Sequence, residues 1–450
     1  MKPNINPIQP QRKYDKNQIY IPIKTKFWIS HLIAFLWMCL SIYLASPWLS
    51  DLSRTLSFPV ALMVIAGISY IPGYMNAFLV ASLILDKQPP FKNEFPRDPI
   101  TLLIAAYNEE DKIFNTLSYL SRQDYNGKIQ IILINNCSTD QTVEEALKAK
   151  EEFNLDLRVF HEENPGKYHA LNLGLKSVET PYLITLDADT VLHPSAIRYL
   201  VARIKSSPSD VCAVAGSVLA KNSRDNLWTK MQEWDYFIGI ASIKRLQGLY
   251  QGTLVAQGAY SLYKTKSIQE IGGWPDAIGE DIVLTWRLLG KGLKIYFEPL
   301  AVAFTEVPNT LIHFIHQRSR WARGMIEGIA EIKPWQQPQI YTKYLTGINF
   351  VMPYLDFIYT FCWLPGLILA LFGHFWIVGP MTLLVLPLTL ISYSTLYIYQ
   401  SKFVFKPLNL KIRKNLIGFV FFILSYQMIM SPVSLYGYIQ EFFKFKRRWK

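Results

Sequence analysis

Two long apolar segments near the start of the chain constrain its fold more than any other feature. Residues 27–46 and residues 58–85 contain no Asp, Glu, Lys or Arg. As helices, both are long enough to cross the hydrocarbon core of a bilayer, which is about 30 Å thick. A cleavable signal peptide is disfavoured, because the first apolar run is long and no small-residue cleavage site precedes the second run. The sequence therefore predicts two transmembrane helices within residues 27–85.

Charge is distributed unevenly along the chain. The formal net charge is +12, but residues 1–26 carry six Lys and Arg against one Asp, and residues 401–450 carry ten against Glu441 alone. The residues between these ends carry 30 basic and 32 acidic side chains. Because the positive charge flanks apolar segments, it favours a membrane protein with a cytosolic basic N-terminus, and no nucleic-acid partner is expected. Two crossings return the chain to the cytosol near Asp86.

Apolar character returns in the region 336–450, which ends in a basic tail. Its apolar segments span residues 347–372, 375–399 and 416–440. The loop at 400–415 carries five Lys and Arg, so we expect it to be cytosolic. The last segment leaves two alternatives open, since a full crossing places the tail outside, whereas a re-entrant or interfacial segment bent at Pro432 keeps it inside. We expect two to three transmembrane or interfacial segments here.

The segment 86–335 has a different pattern, in which short apolar runs alternate with charged amphipathic stretches. The runs read ITLLIAAYNEE, IQIILINNCS, LRVFHEE and PYLITLDAD. They predict strands separated by helices, and hence a cytosolic α/β domain with a mostly parallel sheet. Ser138 followed by Gln141 predicts a capping box at a helix start. Strand ends therefore meet helix starts, which is where open α/β sheets bind ligands.

Four polar motifs follow one another within this segment: AAYNEE at 105–110, DAD at 187–189, GED at 279–281 and QRSRW at 317–321. Together they resemble the membrane-embedded, processive members of glycosyltransferase family 2, a group that includes cellulose, hyaluronan and poly-N-acetylglucosamine synthases. Two further stretches look closest to the poly-β-1,6-N-acetylglucosamine synthases; they span residues 258–301 and 307–324. The resemblance implies a GT-A type nucleotide-sugar-binding domain inserted between transmembrane helices.

The DAD motif predicts a metal site. A nucleotide-sugar donor carries a diphosphate whose charge grows as the glycosidic bond breaks, so its site needs a divalent cation held by hard oxygen ligands. The resemblance implies that Asp189 binds Mg²⁺ or Mn²⁺, with Asp187 in the metal shell or near the ribose. The alternative is a solvated turn at a strand end, where Asp is common.

The GED motif predicts the proton acceptor. Direct displacement at the anomeric carbon needs a carboxylate within reach of the acceptor hydroxyl. The resemblance assigns Asp281 as this general base, with Glu280 as the second candidate. The family usually has Thr where this chain has Gly279. Helix capping is the alternative, because a helix N-terminus favours carboxylates.

The remaining candidates bind the donor or the acceptor. The planar fork of Arg320 suits the departing diphosphate, and Trp321 offers an aromatic face to an acceptor sugar. Gln317 and Arg318 are expected in the same acceptor site, and contact with lipid headgroups is the alternative for these arginines. The resemblance also implies nucleotide-sugar contacts from Tyr107, Glu109, Lys167 and Asn136. Where the family commonly has Asp, Asn136 keeps an amide oxygen that accepts from uracil N3–H.

Three functions are compatible with these motifs. The first is an inverting, processive glycosyltransferase of the inner plasma membrane that polymerises N-acetylglucosamine from UDP-N-acetylglucosamine into a β-linked biofilm exopolysaccharide and passes it outward. The second is a non-processive enzyme that adds one sugar to a lipid, and the third is a catalytically silent membrane protein that binds a nucleotide sugar. The implied partners are a UDP-sugar donor, a growing glycan or lipid acceptor, membrane lipid and a small accessory membrane protein.

Overall fold

The computed structural model describes residues 21–379 and 385–445. Before the central domain the described residues form three α-helices: α1 (Ile23–Thr55), α2 (Phe58–Ile65) and α3 (Ile71–Leu85). A π-helical turn at Ala66–Tyr70 joins α2 to α3 directly before Pro72. Proline lacks an amide N–H and its ring crowds the carbonyl four residues earlier, so the backbone widens there. Both predicted N-terminal membrane segments are thus helical.

Four described helical segments are long and apolar enough to cross a membrane: Ile23–Thr55, Phe58–Leu85, Ile340–Leu371 and Leu416–Phe442. The third consists of α13 (Ile340–Ile358), a π-helical turn (Tyr359–Trp363) and α14 (Leu364–Leu371). In the predicted segment 375–399 the structure has α15 (Val385–Tyr399), which has 15 residues. Residues 380–384 of that segment lie outside the described part of the chain, as do residues 1–20 and 446–450 of the predicted basic ends.

The last helix, α16 (Leu416–Phe442), is continuous through Pro432. Both ends of α16 are attached to the central domain. At its start, the Asn415 amide donates to the carbonyl oxygen of Lys230 at 2.8 Å. At its end, Glu441 accepts from Arg323 at 3.0 Å.

The central domain is built on an eight-stranded mixed sheet with the order β3-β2-β1-β4-β7-β6-β8-β5. Its strands are β1 (Ile100–Ala106), β2 (Ile129–Asn136), β3 (Leu157–Glu162), β4 (Tyr182–Leu186), β5 (Val191–Leu192), β6 (Val211–Ala220), β7 (Tyr260–Lys264) and β8 (Lys294–Thr305). The pairs β3–β2, β2–β1, β1–β4 and β6–β8 are parallel. Only β7 and β5 run against the others. The prediction of an α/β domain with a mostly parallel sheet is confirmed.

Helices cover the sheet and bury its apolar strands, as parallel sheets require. The helices of the domain are α4 (Glu110–Leu120), α5 (Thr142–Phe153), α6 (Lys167–Leu175), α7 (Ala196–Ser206), α8 (Leu227–Trp234), α9 (Ala241–Leu249), α10 (Thr265–Glu270), α11 (Glu280–Gly290) and α12 (Leu311–Glu331). The last of them, α12, packs against α11 and α16. The predicted capping box at Ser138 is wrong, because α5 begins four residues later. The Asp140 carboxylate accepts from the Thr142 N–H there, and carboxylates are favourable acceptors at helix starts.

A buried ion pair connects the membrane helices to the domain. Asp86, at the end of α3, lies 2.6 Å from Arg245 of α9, without a well-aligned hydrogen bond, and both side chains are at most 4% exposed. The Arg245 guanidinium also lies 3.3 Å from the ring centre of Tyr399, the last residue of α15. Because removing one partner of a buried pair leaves an uncompensated charge, this contact fixes α3 and α15 against the domain.

Candidate active site

The AAYNEE and DAD motifs lie at one edge of the sheet because β1 and β4 are adjacent and parallel. Tyr107, directly after β1, is 40% exposed. Asn108 then takes a left-handed conformation with φ 52°, which asparagine tolerates and which turns the chain towards α4. Asp187 and Asp189 follow β4 at the same carboxyl edge, the usual ligand-binding edge of open α/β sheets.

Lys167 connects the two acidic motifs. Its Nζ lies 2.5 Å from Asp187 Oδ1 and 3.9 Å from Glu280 Oε1. Burial lowers the pKa of Lys167, but the carboxylates of Asp187 and Glu280 outweigh it and hold the pKa above its ordinary value. The lysine therefore stays charged between two acidic side chains that come from distant parts of the sequence.

Asp189 lies deeper than Asp187. Its Oδ1 accepts from the hydroxyls of Thr190 at 3.1 Å and Thr305 at 3.3 Å. Burial, the charge of Asp187 and the charge of Glu109 raise the pKa of Asp189 to about 6. Lys112 opposes this shift, but burial and the neighbouring carboxylates outweigh it.

The donor set is compatible with a divalent cation. Within the described residues there is no group of three or more His, Cys, Asp or Glu arranged around a metal position. Two aspartates fit a cation whose other ligands are diphosphate oxygens and water, as is common for Mg²⁺. Asp187 and Asp189 are the residues that would hold it.

Glu280 and Asp281 begin α11, as the sequence predicts. Asp281 Oδ2 accepts from the Gly258 N–H at 3.0 Å, so its carboxylate is fixed against the loop before β7. Glu280 is 7% exposed. Burial and the neighbouring Asp281 raise the pKa of Glu280 to about 7, although Lys167 opposes the shift.

The QRSRW motif lies on α12 with its side chains on different faces. Arg320 and Trp321 are exposed, and Trp321 is 40% exposed. Gln317 is half-buried, and its Oε1 has no hydrogen-bond partner in the described part of the chain. Arg320 and Trp321 are thus open to solvent, whereas the Gln317 Oε1 is buried, and the roles expected for these three residues stay predictions.

Arg318 is placed differently from the prediction of a direct acceptor contact. Arg318 is 1% exposed, and its Nη2 donates to the Asp235 carboxylate at a distance of 2.7 Å. Asp235 begins the π-helical segment that follows α8 (Asp235–Ile240). Its guanidinium carbon lies 4.0 Å from the ring centre of Trp321. Alternate residues of a helix point in different directions, so Arg318 faces the domain and supports Trp321 from beneath.

Asn136 also differs from its predicted nucleotide contact. Its Oδ1 accepts from the Gly166 N–H at 2.7 Å, and its Nδ2 donates to the carbonyl oxygen of Asn164 at 2.7 Å. Asn136 is 5% exposed. The amide is thus used to shape the turn that precedes Lys167, in which Gly166 has φ 144°, a conformation that favours glycine.

Several side chains that sequence reasoning missed contribute to the site. Lys112 lies 3.1 Å from Glu109 and 3.7 Å from Glu306. Lys244 is 8% exposed and donates to the carbonyl oxygen of Val255, and burial lowers its pKa to about 8 although Asp281 raises it. None lies in a recognisable motif. A lysine within an apolar helical stretch, as in GIASIKRL, is the one available signal.

Residues 96–324 match the protein family described as glycosyltransferase like family 2. A poly-beta-1,6-N-acetyl-D-glucosamine synthase of Staphylococcus aureus (strain MSSA476) is 38% identical over 241 residues, which are 53% of this chain and 57% of the relative. The synthase of the same name from Staphylococcus epidermidis is 32% identical over 266 residues, 58% of this chain and 63% of the relative. The chain thus spans less than two thirds of the length of these curated relatives.

Among solved structures, the fold is similar to a mannosyltransferase from Pyrobaculum calidifontis, described in complex with GDP-Man and Mn²⁺. The TM-score is 0.55 at 16% identity, and the match covers 93% of this chain and 100% of that structure. The likeness extends beyond the sheet and confirms the predicted GT-A type fold.

The buried Arg318–Asp235 pair predicts a large effect on stability. We expect Arg318→Ala to lower the free energy of unfolding by about 3–5 kcal/mol, because Asp235 keeps its burial and loses its counter-ion. Arg320→Ala, two positions along the same helix but exposed, should change it by less than about 0.5 kcal/mol. Thermal unfolding of both variants in detergent checks this, and equal shifts would contradict the placement of Arg318.

The raised pKa of Glu280 predicts a pH-dependent stability. Folded protein retains the Glu280 proton up to a pH of about 7, whereas the unfolded chain releases it near the ordinary value of 4.5. Its contribution to stability is therefore present at low pH and is lost as pH rises across that window. We expect Glu280→Gln in EDTA to gain thermal stability over the wild type between pH 5 and pH 8.

The matched control is Glu270→Gln, which makes the same substitution on a surface side chain that is 58% exposed. Its melting temperature should follow that of the wild type across the same pH range. A Glu280→Gln curve parallel to both would show that Glu280 is ionised in the folded protein at pH 5.

Proposed function

Because the chain belongs to the glycosyltransferase-like family 2, we propose that it is an inverting glycosyltransferase that extends a β-linked N-acetylglucosamine polymer from UDP-N-acetylglucosamine. The observation that carries the proposal is the convergence of Lys167, Asp187, Glu280 and Asp281 at the carboxyl edge of the sheet. Asp187 comes from the DAD motif, Glu280 and Asp281 come from the GED motif, and Lys167 comes from the start of α6.

The sugar is suggested by the relatives. Both staphylococcal proteins are named poly-beta-1,6-N-acetyl-D-glucosamine synthases, and they match 53% and 58% of this chain. A donor pocket that includes Tyr107 suits a nucleobase, because an exposed aromatic ring can stack on it. Uridine as the base rests on these similarities, since Asn136 is engaged elsewhere.

The diphosphate lies between acidic and basic side chains in this proposal. Asp187 and Asp189 would hold Mg²⁺ or Mn²⁺, and the Pyrobaculum mannosyltransferase of similar fold is described in complex with Mn²⁺. When bound, the cation offsets negative charge on the departing diphosphate. Arg320 contacts the same diphosphate through its planar fork. Lys167 keeps Asp187 and Glu280 from repelling each other before the donor arrives.

Transfer is a direct displacement. The acceptor hydroxyl oxygen bonds to the anomeric carbon as the bond from that carbon to the diphosphate oxygen breaks, and the electron pair leaves with UDP. The hydroxyl proton passes to Asp281, whose carboxylate is oriented by the Gly258 N–H. A single displacement of this kind inverts the configuration, so an α-linked donor gives a β-linked product.

The acceptor lies on α12. Its terminal sugar packs on the face of Trp321, whose ring lies against the Arg318 guanidinium, while a contact from Gln317 stays a prediction because its Oε1 is buried. Four apolar helices flank the domain, which supports a multi-pass protein of the plasma membrane. We propose that the domain faces the cytosol and that the polymer leaves between these helices. Membrane lipid and a small accessory membrane protein stay predictions.

Two substitutions separate donor binding from proton transfer. Asp281→Asn should retain UDP affinity, while glycan synthesis falls by about 10²- to 10⁴-fold, as is typical after loss of a general base. Asp189→Asn should lose metal-dependent UDP binding as well as synthesis. Calorimetry with UDP and Mn²⁺, and mass spectrometry of products from UDP-N-acetylglucosamine, measure the two properties on reconstituted protein.

The control is Asp156→Asn, a surface aspartate beside Lys128 at the opposite edge of the sheet, which should leave both properties unchanged. Near wild-type synthesis by Asp281→Asn would overturn its role. Products that carry one added sugar on lipid, instead of a polymer, would support the non-processive alternative.

A further inference from the structure

The start of α11 and the middle of α12 touch through their backbones. A Cβ atom built on Gly279 would lie 2.5 Å from the Cα of Gly324, and one built on Gly324 would lie 2.7 Å from the Cα of Gly279. These separations are far below any contact that carbon atoms make, so neither position has room for a side chain. One helix turn further along, a Cβ on Gly328 would lie 3.1 Å from Ile282.

Glu327 fixes the same contact through hydrogen bonds. Its two carboxylate oxygens accept from the N–H groups of Ile278 at 3.2 Å and Gly279 at 2.9 Å. These N–H groups precede the first turn of α11, where helices lack internal acceptors and favour negative charge. A side chain of α12 therefore holds the two residues that directly precede α11, and the two helices are joined by both steric fit and hydrogen bonds.

The contact between Gly279 and Gly324 lies between the proposed general base and the proposed acceptor-binding residues. Glu280 and Asp281 directly follow Gly279. Arg320 and Trp321 lie four and three residues before Gly324, a spacing that places them on neighbouring parts of the same helix face. A displacement of about 1 Å at Gly279–Gly324 would thus change the distance between the proton acceptor and the acceptor sugar.

We propose that Gly279, Gly324 and Glu327 are positioning residues that set the distance from Asp281 to the sugar on Trp321, and so decide whether the activated donor reacts with a glycan or with water. The inference rests on the proposed function. It also accounts for the departure from the family pattern at Gly279, because threonine there would push α12 away.

The test compares two rates in the same sample: transfer of N-acetylglucosamine to glycan and hydrolysis of the donor to free sugar. Gly279→Ala and Gly324→Ala should each lower the ratio of transfer to hydrolysis at least tenfold, since small misplacements of reacting groups are costly. UDP affinity should change less than about twofold. Gly347→Ala on α13, where a Cβ meets nothing within 4 Å, is the control and should keep the wild-type ratio.

Glu327 provides a second, independent variant. Glu327→Gln retains one carbonyl oxygen but turns an NH₂ group towards a backbone N–H, so the ratio should fall; Glu327→Asp, which keeps the charge, should recover part of it. A merely structural role would lower both rates in proportion to the folded protein and leave the ratio unchanged, and that result would overturn the inference. Absence of transfer by the wild-type chain would instead overturn the proposed function, and the inference with it.

Discussion

The burial of several carboxylates at one edge of the sheet is the constraint around which this site is organised. Asp187, Asp189, Glu109 and Glu280 converge there, and burial first, then the neighbouring carboxylates, raise the pKa values of Asp189 and Glu280. Lys112 and Lys167 offset part of it in the protein alone. The remaining negative charge is what a divalent cation would neutralise, which is why the proposed donor is a metal-bound diphosphate.

The second requirement is that the acceptor side be held rigidly against this cluster. α12 meets it with contacts on several faces: Arg318 reaches Asp235 inside the domain, Gly324 touches Gly279, and Arg323 donates to Glu441 at the end of α16. The C-terminal helix is therefore part of the support for Trp321, although it lies far outside the segment that carries the motifs. The Arg323–Glu441 contact thus joins an apolar helix to the helix that carries the proposed acceptor residues.

Much of the fold could be predicted from the sequence, because two-sided burial makes β1, β2 and β4 short continuous apolar runs and because membrane helices lack charge over a defined length. The face that each motif residue occupies could not be predicted from the sequence. Arg318 and Arg320 are alike in the sequence, and their separation depends on Asp235, which no motif marks. The Asn136 side chain is buried because it bonds to the turn at Gly166. The need for glycine at position 279 is evident only from its contact with Gly324. In each case the orientation of the residue depends on a contact with a residue that is distant in the sequence.

The central claim is that DAD, GED and QRSRW form one donor–acceptor site, and a structure of the reconstituted protein with UDP, Mn²⁺ and a short N-acetylglucosamine oligomer tests it most directly. The account predicts the metal bound by Asp189, the diphosphate between that metal and Arg320, and the terminal sugar of the oligomer on Trp321 with a hydroxyl facing Asp281. Nucleotide bound away from Asp187 and Asp189, or an oligomer that does not approach Asp281, would contradict it.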